Sequence, residues 1–231
     1  MIEAIVLAGG FGKRLQSRVQ NIPKPMAPIN NKPFLDYLFD YLIKNKVKRV
    51  ILSVYYKYDL IKNYYGNNYK EITISYSIDN AELGTGGAIK AALLMACDDH
   101  VFVINGDTYF DVNLKSLFKE HYKNDNDITF SLKPMKNFNR YGFVKTDLNG
   151  EVLSLEEKKY RVEGEIDGGI YLIKKTIFSE YENNKKFSFN DFIVTNLKNL
   201  KVGSLLCDKL FIDIGTPEDY GKAHKVLGNQ L

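Results

Sequence analysis

The 231-residue chain carries 32 lysines and arginines against 28 aspartates and glutamates, a net charge of +4, and 45% of its residues are apolar. That balance fits a globular protein with a proper core; its basic residues are scattered among acidic ones, which sets aside nucleic acid and leaves the small excess for a pocket that takes an acidic small molecule. No apolar stretch approaches the ~18 residues of a membrane span, Glu3 breaks any signal-peptide pattern, and Cys97 and Cys207 have neither CxxC spacing nor a disulfide framework, which fits a reducing cytoplasm.

Residues 3–8, EAIVLA, read as a short buried strand that runs into Gly9, Gly10 and Gly12 and then Lys13 and Arg14. Leu15 stands where a dinucleotide fingerprint needs its third glycine, and Arg14 stands where a P-loop needs Ser or Thr. What remains is a glycine-rich turn whose N–H groups can hold oxyanions, with Arg14 able to clamp one, or else a tight turn with two solvated cations. In 21–29, NIPKPMAPI, three prolines stiffen the chain around Lys24 and prepare it as a phosphate partner. A helix over 33–45, a strand over 49–56, a helix over 59–66 and a strand over 72–78 follow. Gly84, Gly86 and Gly87 then precede a helix over 86–96, either a second backbone-lined surface or a plain helix start. The strand over 101–107 ends this half on Asp107. Alternating strands and helices predict a mainly parallel sheet covered on both faces, with ligands outside the carboxyl ends of its strands.

After residue 110 the pattern changes. Strands are predicted over 127–133, 141–147, 151–158 and 168–174, with a hairpin turn at 147–150. A helix over 187–200 has Ser188 as its N-cap, strands cover 202–207 and 210–214, and Thr216 and Pro217 open a final helix. This reads as one α/β domain over 1–231 whose second half adds a small, lid-like antiparallel layer. Asp107 and Asp213 each end a strand, and two carboxylates so delivered suit a Mg²⁺ ion that bridges phosphates. Within a strand Glu157 and Lys158 point to opposite faces, unless the strand bends. His100, His121 and His224 read as surface or strand-end residues. The 16 tyrosines and 14 phenylalanines, without a tryptophan, must fill the core and could also supply a homodimer interface.

As an ordered set, LAGGFGKRL, IPKPMAPI, LGTGGA, NGD, YGFV, EEK, DGGIYL and DIGTPEDY resemble the sugar-nucleotidyltransferases, which join a nucleoside triphosphate to a sugar 1-phosphate. The resemblance spans nearly the whole chain. It implies a Rossmann-like three-layer α/β fold with a mixed, mainly parallel sheet, a nucleotide-binding half over 1–110 and a sugar-phosphate-binding half over 111–231. It implies that Leu7, Gly9, Gly10, Gly12, Gly84 and Thr85 line the nucleotide, that Arg14 and Lys24 hold its phosphates, and that Asp107 and Asp213 are the Mg²⁺ ligands. Gly142, Glu157, Lys158 and Asp167 would contact the sugar phosphate, although the family often has Asn where this chain has Asp167. Asp79 and Glu82 fall near the expected nucleobase. A carboxylate there accepts from both N1–H and the N2 amine of guanine, which favours GTP. No left-handed β-helix follows, so the minimal catalytic unit is expected rather than a bifunctional acetyltransferase. Among short members, IPKPMAPI, LGTGGAI and KFSFNDF are most similar to guanylyltransferases acting on D-glycero-α-D-manno-heptose 1-phosphate in bacterial surface-polysaccharide pathways. Uridylyltransferases acting on N-acetylmuramate 1-phosphate and mannose-1-phosphate guanylyltransferases share much of the pattern. An inactive nucleotide-sugar-binding module need not keep Arg14, Lys24, Asp107 and Asp213 together. A nicotinamide oxidoreductase would need a glycine at Leu15 and an acid sooner than Asp59.

Overall fold

Strand β1 (Glu3–Leu7) is apolar on both faces, and this places it in the middle of a sheet. Ala4 and Val6 enter one core and Ile5 the other, all fully buried. The computed structural model describes residues 3–12, 15, 19, 21–181 and 185–228. A single 3₁₀ turn over Lys24–Met26, set by its flanking prolines, leads into the small hairpin β2 (Pro28–Ile29) and β3 (Lys32–Pro33). Helix α1 (Phe34–Lys44) lays Phe34, Leu35, Leu38, Phe39 and Leu42 against the first core. Burial of each such side chain contributes about 1.5–3 kcal/mol. Next come β4 (Arg49–Val54), α2 (Tyr58–Tyr65), β5 (Asn68–Tyr69), β6 (Ile72–Ile78), α3 (Gly84–Leu93) and β7 (His100–Asn105). Strands β7, β1, β4 and β6 lie side by side and parallel, so their carboxyl ends open on one edge of the sheet.

A short strand β8 (Thr108–Phe110) precedes α4 (Leu114–Lys123), a helix with no counterpart among the predicted elements. Then follow β9 (Ile128–Phe138), β10 (Phe143–Thr146), β11 (Val152–Glu156) and β12 (Arg161–Lys174). They are the expected antiparallel strands, and they join the same sheet rather than standing apart. The carboxyl-terminal part of β12 pairs with β7, and its amino-terminal part with β10. A register shift between Asp167 and Tyr171 in the pairing with β9 lets one strand serve both places. The β10–β11 hairpin therefore stands beyond the end of β7, beside the ligand edge. After α5 (Phe189–Asn196), capped by Ser188 as expected, β13 (Val202–Leu206) pairs with β9. Strand β14 (Phe211–Asp213) pairs with β8, aligning Asp213 with Thr108, and α6 (Pro217–Leu227) starts at the Thr216 cap.

The expectation that all three histidines are surface or strand-end residues fails for His121. Helix α4 turns it inward, fully buried, where its Nδ1 lies 2.8 Å from Thr129 Oγ1 and its Nε2 lies 2.8 Å from His100 Nδ1. The Thr129 hydroxyl also accepts from Asn126 Nδ2 at 3.0 Å. A neutral His121 satisfies every partner. Burial, with His100 and Lys174 nearby, holds its pKa down at about 4, against only the Asp125 and Asp127 carboxylates pulling upward. The unfolded imidazole binds a proton first, so this part of the stability is complete above about pH 6.5 and lost as pH falls to about 4. The expected loss is about 2–3 kcal/mol. Urea unfolding of wild type and His121→Gln at pH 7 and pH 4 checks it, because the variant should show a smaller drop.

Candidate active site

Loops leaving all four parallel strands enclose a cavity of about 350 Å³. Leu7, Gly9 and Gly10 come from the end of β1, Tyr55 from β4, Asp79 from β6, and Gly106 and Asp107 from β7. Gly84 and Thr85 close it from α3. Gly12 has φ of +59°, and an added Cβ would lie 3.1 Å from Lys24 Cβ, so this turn needs glycine both for its hand and for its contact with Lys24. Arg14, the expected phosphate clamp, and Lys13 beside it lie outside the described residues.

A second cavity of about 260 Å³ adjoins the first, and Lys24, Asn105 and Asp107 line both. Gly142, Lys158, Asp167 and Asp213 line it. At the junction Lys24 Nζ donates to Asp107 Oδ2 at 2.5 Å and lies 3.7 Å from Asp213 Oδ1. Pairing of β14 with β8, and the Ile214 N–H donated to the Asp107 carbonyl at 3.0 Å, bring the two carboxylates together. Burial and the Asp107 charge push the Asp213 carboxyl upward, while Lys24 draws it down. Two converging carboxylates, one of them part-exposed to both cavities, offer the hard oxygen ligands that suit a divalent cation. No cluster of three or more His, Cys, Asp or Glu suited to a metal occurs among the described residues, so phosphate oxygens and water would complete such a shell.

Three expected contacts sit differently. Strand β11 ends at Glu156, leaving Glu157 exposed and outside the second cavity. Glu156 takes the place in the wall, ion-paired to Arg161 at 2.5 Å and to Lys159 at 2.8 Å. Asp167 does face the cavity, but its oxygens accept from Gly169 N at 2.8 Å and Tyr171 Oη at 2.6 Å. It anchors the β12 irregularity. Burial raises its carboxyl pKa. The second glycine group is not a free anion cradle, for the Gly86 and Gly87 N–H groups donate to the Phe187 carbonyl at 3.0 and 3.4 Å. Those glycines admit residues 185–189, which lie directly on the start of α3.

A family model described as Nucleotidyl transferase matches residues 3–230. The chain belongs to this family. Two nucleotidyl transferases, both D-glycero-alpha-D-manno-heptose 1-phosphate guanylyltransferases, are close in sequence. The one from Aneurinibacillus thermoaerophilus is 49% identical over 231 residues, which is 100% of each chain. The one from Campylobacter jejuni is 48% identical over 219 residues, 95% of this chain and 97% of its own. The crystal structure of HddC from Yersinia pseudotuberculosis complexed with GMP-PN superposes with a TM-score of 0.87 at 37% identity, covering 98% of this chain and 100% of that one. In this nucleotidyl transferase the structure also brings in residues that the sequence reading passed over. Arg140 lies 3.6 Å from Asp213 and ion-pairs with Asp219, Tyr141 Oη lies 3.5 Å from Asp213, and Asn105 and Asn190 line the second cavity. Tyr141 adjoins Gly142 in the quoted YGFV motif, and Asn190 lies within KFSFNDF, so both had a sequence signal. Arg140 had none.

Proposed function

We propose that this enzyme transfers GMP from GTP to D-glycero-α-D-manno-heptose 1-phosphate and releases pyrophosphate. The observation that carries the reading is the meeting of two cavities at Lys24 and Asp107, one edged by a glycine turn and the other by Arg140 and Lys158. Full-length identity of 49% to a guanylyltransferase of that specificity supports the choice of substrates.

The acceptor phosphate oxygen is already an anion, so its in-line attack on the α-phosphorus of GTP needs no general base. The protein's task is to hold two repelling anions in line and to offset the charge that builds between them. Lys24, shared by both cavities, suits the α-phosphate. Arg140 and Lys158 suit the acceptor phosphate, and the turn over Gly9, Gly10 and Gly12, with Arg14, suits the leaving pyrophosphate. Asp107 and Asp213 would hold Mg²⁺, which supplies Lewis-acid neutralisation of phosphate oxygens.

Asp79 supports guanine. Its side chain has no partner among the described residues, and burial alone pushes its carboxyl pKa up to about 6. A carboxylate in that state lacks donors, and guanine offers two, N1–H and the N2 amine. Asp79→Asn should lower kcat/KM for GTP roughly 10- to 100-fold and erase the preference for GTP over ITP, which lacks the amine. The charged form costs stability above about pH 6, so the same variant should be more stable at pH 7 by about 1 kcal/mol. Wild-type affinity for GTP should fall as pH drops through about 6. Pyrophosphate release with GTP, ITP, UTP and dTTP against heptose 1-phosphate and mannose 1-phosphate tests the whole reading. UTP or dTTP outperforming GTP would overturn it.

A further inference from the structure

Residues 185–189 lie on the start of α3, which walls the first cavity, and lead directly to Asn190 in the wall of the second; they are fixed at both ends. Phe187 N donates to the Leu83 carbonyl at 3.0 Å, and the Phe187 carbonyl accepts from Gly86 N at 3.0 Å. Lys186 pairs with Glu82 at 2.8 Å. Phe189 N donates to Thr85 Oγ1 at 2.9 Å, and Thr85 itself lines the nucleotide cavity. The next residue, Asn190, lines the acceptor cavity. One hydrogen bond thus joins a wall residue of the first cavity to the residue that immediately precedes Asn190 in the wall of the second.

The chemistry of the acceptor cavity singles out Asn190. Its cations, Lys24, Arg140 and Lys158, suit a phosphate. A sugar also presents hydroxyls, each both donor and acceptor, which a carboxamide matches on both counts. Two asparagines line the cavity. Asn105 is engaged with the buried Tyr171 hydroxyl. The Asn190 amide has no partner among the described residues, and it is exposed to the cavity. We propose that Asn190 determines acceptor specificity by hydrogen bonding to sugar hydroxyls, and that Thr85, from the nucleotide side, is the positioning residue that holds it there. This rests on the sugar-1-phosphate reading above and adds the residues that read the sugar.

The test measures kcat and KM with GTP and three acceptors, heptose 1-phosphate, mannose 1-phosphate and glucose 1-phosphate, together with the Kd of GTP by calorimetry without acceptor. Asn190→Ala is expected to raise acceptor KM at least fivefold, to leave the GTP Kd within twofold, and to change the kcat/KM ratio of at least one acceptor pair fivefold or more. Thr85→Val should also raise acceptor KM, Thr85→Ser should restore it, and the Thr85→Val/Asn190→Ala double variant should cost no more than the worse single one. Acceptor ratios all unchanged within fivefold in Asn190→Ala would overturn the specificity role. Additive effects in the double variant would overturn the positioning role. Wild-type inactivity toward every sugar 1-phosphate would instead overturn the functional reading itself, a separate result. Asn190→Asp, which keeps the shape and loses the donors, guards against a folding defect, and its melting temperature should match wild type.

Discussion

Asp107→Ala is expected to lower kcat for pyrophosphate release about 10³-fold, equivalent to ~4 kcal/mol of transition-state stabilisation. The residue lies two positions past the end of β7 at the junction of both cavities, where its side chain is 38% exposed and paired with Lys24. Its removal deletes one of two carboxylates suited to a divalent ion and leaves Lys24 to Asp213 alone. The fold loses little, because the local tie to β14 runs through the Asp107 backbone carbonyl, which the variant keeps. The side chain forfeits its part-exposed ion pair with Lys24 and the 3.2 Å contact from Thr108 Oγ1, while Lys24 keeps Asp213 nearby. Melting temperature should therefore stay within a few degrees while Mn²⁺ affinity, read by electron paramagnetic resonance, drops at least tenfold. Near-normal turnover would remove Asp107 from the chemistry.

Gly84→Ala is expected to cost about 2–5 kcal/mol of stability without touching a catalytic group. Gly84 has φ of +69°, a left-handed conformation that costs an alanine ~1–2 kcal/mol. Its new Cβ would also lie 2.5 Å from the Phe187 carbonyl oxygen, which is backbone and is held by Gly86 and Gly87. Relieving that contact means lifting residues 185–189, a further ~1–3 kcal/mol by analogy with overpacked sites. A fall in melting temperature of roughly 5–15 °C follows for a domain of this size. Gly10→Ala is the control, since a Cβ there meets nothing within 4 Å, and it should unfold within ~0.5 kcal/mol of wild type. Equal melting temperatures for the two variants would show that the segment does not depend on the glycines.

The ligand edge was readable from sequence because parallel strands declare themselves twice, as apolar runs and as turns that follow them. Leu7, Gly9, Asp79 and Asp107 all fall at such strand ends, and all line one cavity. Gly84–Gly87 show the limit of that reading. The residues demand close backbone approach, yet what approaches is Phe187, about a hundred positions away, and nothing local announces it. Helix α4 escaped notice because only Leu114, Leu117 and His121 of its ten residues are buried, too sparse an apolar stripe to recognise. Its Asn113 cap, accepting from Ser116 N at 3.0 Å, was the available signal. The amino-terminal stretch of β12, RVEGEID, is mostly polar because it is largely solvent-facing, with Ile166 alone buried, so it lacks the pattern of a core strand. Arg140 is defined by its distance to Asp213, and that contact exists only once β14 has paired with β8.

That last pairing carries a consequence for how the protein is made. The walls of the nucleotide cavity all come from residues 7–107, whereas the second carboxylate arrives with β14. Helix α3, which closes that cavity, is itself held by residues 185–189, so the cavity is complete only after that segment has docked. A chain that ends before β14 also lacks the Asp213 side chain. On the proposed role of Asp213, the capacity to transfer would be withheld from every nascent chain until residue 213 has emerged and docked, so a stalled or clipped product would be inactive.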